Sequence, residues 1–460
     1  MNGKKKENGR VRIIVFSLLI LSVIAIYYTS QGEDYVCKDC NVLLITVDSL
    51  RPDHLGYMGY ARNTSPALDR IVSEGVVFTR AFSQSSFTPP SLGSILTSKY
   101  VSDHGLKNWD KMDFNQTTIA EILEENGYET VALTRVPKLD EHNLDQGFQY
   151  TLRGNYWRAE DFNKAVLEWF DGNYTGGKYF VWMHYYDPHR RYEPLPPFDK
   201  IFNRRYDPEK DLQRQDKSFF VNFWSGNVSI SRKMERDLIT QYDGEIAYTD
   251  HNIGLLLGNL SEMGLLENTI VVISADHGES LNEHRQERRF MFSHDPMLYD
   301  QVVHVPLIFW GNGIPKGVKV ENLVESIDIA PTMLSILGIG HNDTGMFGWD
   351  LTKMFSGDEV ESKKQVYSEC WGWEEKKMVR TEDYKYIRDF RRKKGSLEEL
   401  YGLEDDPEEK ENILGGDDRI KADMILKMDK FINRHKHTPA KEMNLSDDLE
   451  ERLKELGYIY

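Results

Sequence analysis

A hydroxyl, two carboxylates and an imidazole stand at points of the chain where they can meet around a metal ion. Asp48 and the pair Asp276-His277 each end an apolar run typical of a buried strand, and Thr88 precedes a helical segment. Ligands of open parallel sheets bind outside the carboxyl ends of the strands, so we expect these side chains at one edge. Such groups bind divalent cations, and the nitrogen donor favours manganese or zinc over calcium.

Two roles are open to Thr88. The stretch "FTPPSLGSILTS" places it before two prolines that stiffen the chain, which would hold its hydroxyl in place as a nucleophile. Metal coordination makes so weak a nucleophile competent at neutral pH, and the amides at the start of the following helix are expected to favour an anion. The alternative is a helix N-cap, a common role of threonine.

Apolar runs alternate with helical patterns after residue 41, which predicts an α/β fold with a large, mainly parallel sheet flanked by helices. The strand-like runs are residues 41–49, 178–187, 268–280 and 304–311. Segments such as "SPALDRIVSEG" and "TTIAEILEENGY" between them have helical spacing and glycine stops. Near residue 360 the pattern changes to short strands and a turn-rich acidic loop, which predicts a smaller antiparallel subdomain.

The N-terminus carries a membrane signal. A basic tail at 1–12 precedes uncharged, mostly apolar residues at 13–28, a run near the lower limit for spanning a bilayer. No small-residue cleavage site follows, so we predict an uncleaved single-pass anchor in the cell membrane with the catalytic part extracytoplasmic. A cleaved signal peptide and a buried helix are the alternatives. Cys37 and Cys40 could pair with each other outside the cell.

Length and charge bound the remaining organisation. The chain has 460 residues, more than one hydrophobic core usually organises. The formal net charge of -17 argues against a nucleic-acid partner, because the phosphate backbone would be repelled. The predicted division after the anchor is a linker at 29–40, a catalytic domain at 41–360, a C-terminal subdomain at 361–430 and a helical tail at 431–460.

Seven segments follow one another in a specific order between about residue 41 and about residue 415. They are "VDSLRPDHLGYMGY", "PPSLGSILTSKYVSDHG", "YYDPHRRYEPLPP", "ISADHGESLNEH", "LYDQVVHVPLIFWG", "SIDIAPTMLSILGI" and "MVRTEDYKYI" with "LYGLEDDPEEKENI". In that order they resemble the sulfatase family, a branch of the alkaline phosphatase superfamily. The resemblance implies a metal-dependent esterase that attacks a sulfuric or phosphoric ester, small or linked to a glycan or lipid, through a covalent intermediate.

The chain departs from the sulfatase pattern at the nucleophile. The usual motif is Cys or Ser, x, Pro, x, Arg, with the first residue converted to formylglycine; this chain has Thr88, Pro90 and Leu92 in that register. Threonine cannot become that aldehyde. Ser49 replaces the second of the usual paired aspartates, and "VALTRVPK" stands where a Lys-Trp-His segment is expected. The chain thus resembles phosphorus-handling relatives whose nucleophile is a metal-coordinated threonine, which favours the nucleophile over the N-cap.

The resemblance also suggests roles for histidines. His189 stands where sulfatases keep a histidine that contacts the ester and can protonate the leaving oxygen, and His294 where they place an anion-binding lysine. His304, before a buried strand, is open to substrate binding or to a structural role. His184 is predicted to be a core residue or to support a neighbouring ligand. Arg190 is predicted at the surface, although an arginine beside His189 could hold an anion.

Two functions follow from these observations. The first is an anchored extracytoplasmic enzyme that hydrolyses or transfers a sulfuric or phosphoric ester through a Thr88 intermediate. The second is a sulfatase-like binding protein that has lost turnover, suggested by the missing arginine and lysine. The presence of Thr88, Asp48, Asp276 and His277 in one chain favours the enzyme.

Overall fold

The computed structural model describes most of the chain after the linker. The predicted anchor at 13–28 lies outside the described residues, as does the basic tail. Within the part that the structure describes, no helix is both long and apolar enough to cross a bilayer. A disulfide joins Cys37 and Cys40 just ahead of the first strand. The described residues are 35–108, 111–113, 115–136, 142–204, 217–285, 288–358, 360–371, 374–391 and 397–435.

A nine-stranded sheet lies at the centre of the described structure. Its strands are β1 (Asn41–Val47), β2 (Val76–Phe82), β3 (Tyr128–Thr134), β4 (Tyr150–Arg153), β5 (Lys178–Tyr185), β6 (Thr269–Ala275), β7 (His304–Gly311), β8 (Val318–Val320) and β9 (Val324–Glu325). Their order is β4-β3-β5-β1-β6-β7-β2-β8, with β9 beside β2. Most neighbours are parallel, while β7 is antiparallel to β6 and β2. The predicted mainly parallel sheet is confirmed, and β1, β5, β6 and β7 are the four predicted strands.

Helices pack around this sheet. Nearly every residue of β1, β5 and β6 is buried, so both faces of these strands are covered, which explains their continuous apolar runs. The described helices are α1 (Pro66–Ser73), α2 (Thr88–Thr97), α3 (Val101–His104), α4 (Ile119–Glu125), α5 (Ala159–Gly172), α6 (Phe198–Ile201), α7 (Lys217–Trp224), α8 (Arg232–Glu262), α9 (Asp300–Val303), α10 (Ile329–Ile336) and α11 (Asp418–Arg434).

A second, antiparallel sheet follows the first and confirms the predicted C-terminal subdomain. It contains β10 (Val366–Trp371), β11 (Glu375–Arg380), β12 (Tyr384–Asp389) and β13 (Glu398–Gly402), paired in chain order. Helix α11 covers one face of it, with Met424 and Met428 packed against Val379, Tyr386 and Leu400. This helix continues past residue 430, where the boundary of the tail was predicted.

The two sheets are joined by an apolar cluster and by partly buried ion pairs. Phe82 and Tyr299 from the larger part pack with residues of the small sheet such as Met378. Asp300, at the start of α9, accepts from Arg380 and from Lys385 on the small sheet. The small sheet is therefore fixed against the larger part by paired charges as well as by apolar packing.

Strand register brings three chain segments to one level. Val47, the last residue of β1, is level with Tyr185 of β5 and Ala275 of β6. Asp48 and Asp276 follow directly after two of these residues, so they leave adjacent strands at the same edge. Because the strands are parallel, this is the carboxyl edge at which open sheets bind ligands.

Candidate active site

Asp48, Asp276 and His277 meet at this carboxyl edge. One ligand atom of each lies within 4.8 Å of the others, and none of the three residues is more than 1 % exposed. The structure therefore brings together the three residues that the sequence places at two separate strand ends. Carboxylates and a buried imidazole in such a group are suited to a divalent ion.

Thr88 lies against this group. Thr88 is the first residue of α2, and the N-cap of this helix is Phe87. The Oγ1 atom of Thr88 lies 3.1 Å from His277 Nε2. The N-cap alternative is wrong, since a capping hydroxyl precedes the helix and accepts from a backbone amide. The expectation of anion-binding helix amides is also corrected: Pro89 and Pro90 have no amide hydrogen, and the Ser91 amide donates to the Phe87 carbonyl.

Two serines hold the Thr88 helix against the end of β6. The hydroxyls of Ser83 and Ser91 both donate to the main-chain carbonyl of Asp276. Ser91 lies in the first turn of α2, so its bond ties that turn to the strand end that carries the carboxylate. Ser368 of the small sheet donates in turn to the Ser83 carbonyl. These contacts explain why Thr88 faces His277 rather than solvent.

His277 has the tautomer that binds metals. Its Nδ1 lies 2.9 Å from the Gly278 carbonyl oxygen, which can only accept, so Nδ1 carries the hydrogen and Nε2 carries the lone pair. Burial lowers the pKa of His277 to about 4, and this effect is larger than that of the neighbouring Asp276, whose charge acts to raise the pKa. The ring is therefore neutral at pH 7. Its Nε2 is 3.3 Å from Asp276 Oδ2 and 3.9 Å from Asp48 Oδ1.

The two carboxylates are incompletely satisfied by the protein. Asp48 Oδ1 accepts from the Ser49 hydroxyl, and Asp276 Oδ1 accepts from the Ser49 and His277 amides. Asp276 Oδ2 is buried and has no hydrogen-bond partner among the described residues. Burial, and next the charge of Asp276, raise the pKa of Asp48 well above its ordinary value. A divalent cation fits this donor set, because it would neutralise both carboxylates and fill the open position on Asp276.

His189 and His294 adjoin the group from two loops. The His294 ring lies 4.3 Å from the His277 ring and 5.3 Å from the His189 ring. His189 Nδ1 donates to the Arg190 carbonyl at 2.6 Å. Burial, and next the neighbouring His294, lower the pKa of His189 well below its ordinary value. His189 is therefore a neutral ring at pH 7, which suits a base.

Glu279 is part of this site, although the sequence did not suggest it. Its carboxylate is fully buried, and Oε2 lies 3.5 Å from His294 Nδ1. The sequence offered one signal for Glu279, which is that it stands two residues after His277, in the loop that begins at this predicted metal ligand. The Glu279 carboxylate therefore lies beside the His294 ring, which in turn lies against His277.

Two arginines provide positive charge at the site, Arg135 near Asp48 and Arg190 near His189. Arg135, just after β3, stacks on Tyr186 at 3.9 Å, and its charge lowers the pKa of Asp48 against the larger effect of burial. Arg190 stacks on Trp224 at 4.5 Å. Arg135 Nε and Arg190 Nη1 are buried without hydrogen-bond partners in the described residues. Arg190 is thus half-buried rather than a surface residue. Arg135 was missed because its segment was considered only for the Lys-Trp-His that it lacks.

His304 is placed apart from this group. Its Nε2 donates to the Thr79 carbonyl at 2.8 Å, and its ring stacks on Phe82 at 5.2 Å. It lines a cavity of about 750 Å³ together with Arg51 and Glu283. Thr88 is not among the residues that line this cavity, so the structure does not bring His304 to the other predicted site residues.

His184 belongs to the site more closely than its sequence suggested. It is level with Thr46 near the end of β5 and is 1 % exposed. Its Nε2 lies 3.8 Å from Asp48 Oδ2 and 4.0 Å from Asp276 Oδ2. The side chain therefore faces both carboxylates from the neighbouring strand.

Comparison with known proteins gives two family matches. The Sulfatase family model matches residues 40–339, and a model described as N-sulphoglucosamine sulphohydrolase, C-terminal, matches residues 288–438. Among curated relatives, the ulvan-active sulfatase of Formosa agariphila is 28 % identical over 382 residues. That alignment covers 77 % of this chain and 72 % of the relative.

Solved structures share the fold. A protein solved in complex with its substrate D-glucosamine-2-N,6-O-disulfate aligns with a TM-score of 0.74 at 19 % identity, over 86 % of this chain and 98 % of that one. The phosphonate monoester hydrolase of Agrobacterium radiobacter aligns with a TM-score of 0.68 at 19 % identity, over 86 % and 96 %. The predicted fold is confirmed by these similarities.

Proposed function

Because the chain belongs to the sulfatase family, whose members are metal-dependent ester hydrolases, we propose that it cleaves a sulfuric or phosphoric ester with Thr88 as the nucleophile. The prediction of an ester hydrolase is confirmed by this membership, which favours the enzyme over the binding protein. The observation that carries the choice of nucleophile is the 3.1 Å contact between Thr88 Oγ1 and His277 Nε2. The His277 side of this contact belongs to the same group as the Asp48 and Asp276 carboxylates.

The metal would be held by Asp48, Asp276 and His277, with Thr88 beside them. A divalent ion at this place supplies neutralising charge for the ester oxygens and a lower pKa for a hydroxyl. The chain supplies orientation, because the Ser91 hydroxyl fixes the first turn of α2 to the end of β6. The imidazole donor favours manganese or zinc over calcium.

In the first step Thr88 Oγ bonds to the sulfur or phosphorus atom of the ester. The bond from that atom to the alcohol oxygen of the substrate breaks, and the hydroxyl proton of Thr88 is lost to solvent. The departing oxygen needs a proton, and His189 is neutral because burial and then His294 lower its pKa. We assign the donor role to His294 on its position, since its ring adjoins His277 and its Nδ1 lies 3.5 Å from Glu279 Oε2.

In the second step the threonyl ester must be attacked again, since it cannot break down by elimination as a formylglycine adduct can. Water bonds to the sulfur or phosphorus atom, the bond to Thr88 Oγ breaks, and that oxygen takes back from solvent the proton that it lost in the first step. His189 Nε2 accepts the proton that water loses, which its lowered pKa permits. An alcohol in place of water would make the reaction a transfer.

The substrate is a small-molecule, glycan-linked or lipid-linked ester of sulfate or phosphate. Ulvan-active and glucosamine-disulfate relatives support a sulfated sugar, and the phosphonate monoester hydrolase supports phosphorus. Arg135 and Arg190, each with a buried N–H group that has no described partner, are suited to hold the anionic group. Phosphate esters are expected to react faster than sulfates, because release depends on a second displacement at Thr88.

The test combines a substrate panel with trapping of the intermediate. The full-length protein in detergent is assayed with aryl sulfate, aryl phosphate, phosphodiester and phosphonate esters, with the metal varied. Mass spectrometry of a rapidly quenched reaction with the best substrate is expected to find the transferred group on the peptide that contains Thr88. Turnover without any modification of that peptide, or with the group on another residue, would exclude Thr88 as the nucleophile.

The proposed location is the outer side of the cell membrane, with the chain anchored through 13–28. The disulfide between Cys37 and Cys40 supports an oxidising compartment outside the cytoplasm. Protease added to intact cells should degrade the catalytic domain, while the full-length chain fractionates with membranes. A protected domain, or a soluble form that begins after the apolar run, would contradict the anchor.

A further inference from the structure

His184 is buried beside the metal ligands, and one of its nitrogens is left without a partner. Nε2 makes no hydrogen bond to any described residue. It lies 3.8 Å from Asp48 Oδ2 and 4.0 Å from Asp276 Oδ2, and the second of these oxygens also has no described partner. Both distances are too long for hydrogen bonds. Three polar atoms thus face one another across a buried gap, which is costly unless something fills it.

The contacts of the Thr46 hydroxyl fit a His184 ring whose hydrogen is on Nδ1. Thr46 Oγ1 accepts from Trp182 Nε1 at 3.0 Å, and the Met183 carbonyl lies 3.4 Å away as an acceptor for its one hydrogen. We assign the hydroxyl hydrogen to that carbonyl, which leaves the second lone pair of Oγ1 to accept an N–H from His184 Nδ1 at 2.9 Å. In the neutral ring Nε2 then carries a lone pair, and it points at the two carboxylates.

Sheet geometry explains why this nitrogen faces Asp48. His184 of β5 is level with Thr46 of β1. Side chains two residues apart on a strand share a face, so Thr46 and Asp48 lie on the same face of the sheet. His184 therefore stands one pleat below Asp48, and its ring reaches up to the carboxylate level.

We infer that His184 is a further ligand of the metal held by Asp48, Asp276 and His277, an inference that rests on the proposed function. Two atoms bound to one ion at about 2.1 Å can be no more than about 4.2 Å apart, and His184 Nε2 meets this limit with Asp48 and with Asp276. His184 lies outside the group of Asp48, Asp276 and His277, whose ligand atoms are all within 4.8 Å of one another, so its ring has to move toward the ion to join them. A lone pair aimed at two carboxylates is repelled, whereas a shared cation makes all three groups ligands. Two imidazoles and two carboxylates also strengthen the preference for zinc or manganese over calcium.

The first experiment uses cobalt(II) as a spectroscopic probe on the full-length protein in detergent. Affinity is measured by equilibrium dialysis and the ligand field by visible absorption, for the wild type, His184→Ala and His184→Gln. His104→Gln is the matched control, because His104 is also fully buried but both of its nitrogens have partners. Removal of the His184 imidazole is expected to weaken cobalt binding by at least about 10-fold and to change the spectrum; the control should do neither.

The second experiment needs no variant, so it decides the matter even if His184→Ala does not fold. X-ray absorption of the zinc-loaded wild type counts imidazole ligands through their multiple-scattering pattern, and two are expected. One imidazole only, or a His184→Ala variant with unchanged cobalt affinity and spectrum, would overturn the inference and leave the proposed function intact. A wild type that binds none of zinc, manganese or cobalt would overturn both.

Discussion

Two regions of this protein bury charged side chains, and they satisfy them in different ways. At the edge of the large sheet Asp48 and Asp276 lie together, and one oxygen of Asp276 has no partner in the described part of the chain. At the joint between the sheets Asp300 is paired with Arg380 at 3.2 Å and with Lys385 at 2.7 Å. We refer to these regions as the carboxylate edge and the sheet joint.

The pKa values of the two regions move in opposite directions. Burial, and next Asp276, raise the pKa of Asp48. Burial also acts to raise the pKa of Asp300, but Arg380 and Lys385 together outweigh it and hold this pKa below its ordinary range. A buried charge with its partners present contributes to the fold, whereas a buried charge without them lowers stability and leaves a place for a ligand. The comparison therefore separates structural from functional charge.

The largest effect is expected at the carboxylate edge, from removal of the Thr88 hydroxyl. Thr88→Ala should lose at least about 10³-fold in turnover, about 4 kcal/mol of activation free energy, because the nucleophile itself is deleted. Thr88→Ser should keep part of the activity. Thr97→Ala is the matched control, since that buried hydroxyl bonds only to the Gly93 carbonyl of the same helix. Steady-state kinetics decide, and near-normal turnover of Thr88→Ala would instead favour direct attack by water.

At the sheet joint the large effect should fall on stability. Lys385 is fully buried between Asp300 and Glu409. Lys385→Met should lower the free energy of unfolding by about 3 kcal/mol, because the buried Glu409 and the partly buried Asp300 lose their shared cation. Lys427→Met, which breaks an exposed pair with Asp423 on α11, should cost less than about 0.5 kcal/mol. Urea unfolding measures the loss of unfolding free energy in both variants. Equal losses would show that the Lys385 pairs stabilise the fold no more than the exposed pair of Lys427 does.

A buried histidine with all its partners tests the comparison through pH. His104 accepts from the Leu106 amide and contacts the Ser94 hydroxyl, and burial lowers its pKa to about 3. The unfolded chain takes up a proton near pH 6.5, before the folded protein does. Stability should therefore fall as the pH drops from about 6.5 toward 3, by up to about 1.4 kcal/mol per pH unit.

The variant His104→Gln isolates this contribution. It removes the group that titrates, so its unfolding free energy should fall less steeply than that of the wild type between pH 6.5 and pH 4. Urea unfolding at several pH values provides the comparison. Identical slopes for the two proteins would mean that His104 becomes protonated in the folded state as readily as in the unfolded chain.

The smallest expected effect is a change in the free energy of unfolding when a carboxylate of each region is replaced by an amide, and its sign should differ between the two regions. In the metal-free protein Asp48→Asn should raise the free energy of unfolding by about 1 kcal/mol, because it removes one of two buried like charges. Asp300→Asn should instead lower it, since Arg380 and Lys385 would lose their partner. Urea unfolding after dialysis against a chelator measures both variants. Destabilisation of similar size by the two substitutions would remove the distinction between the regions.

Part of the fold could be predicted from sequence because some elements carry a strong local pattern. β1 and β6 are continuous apolar runs, as expected when both faces of a strand are covered. The four-residue edge strand β4 and the three-residue strand β8 were not predicted, since so few and partly exposed residues show no periodicity. Strength of local pattern, rather than importance to the fold, decided what could be seen.

The candidate site divides in the same way. Asp48 and the pair Asp276-His277 could be named because each directly follows a recognisable strand. Arg135 and Glu279 could not, since what distinguishes them is burial and the neighbours that other segments bring to them. His304 shows the converse, because a position before a strand at this edge does not by itself place a side chain next to Thr88, and its role in substrate binding stays a prediction.

The sequence by itself determined the chemical groups, the order along the chain of the strands that carry them, and the family to which the chain belongs. These are properties of short segments, set by side-chain type and local periodicity. Only the tertiary structure decided that Thr46 is level with His184, and with it that a nitrogen without a partner faces two carboxylates. Register and hydrogen-bond partners depend on contacts between segments more than 130 residues apart, which no local pattern encodes.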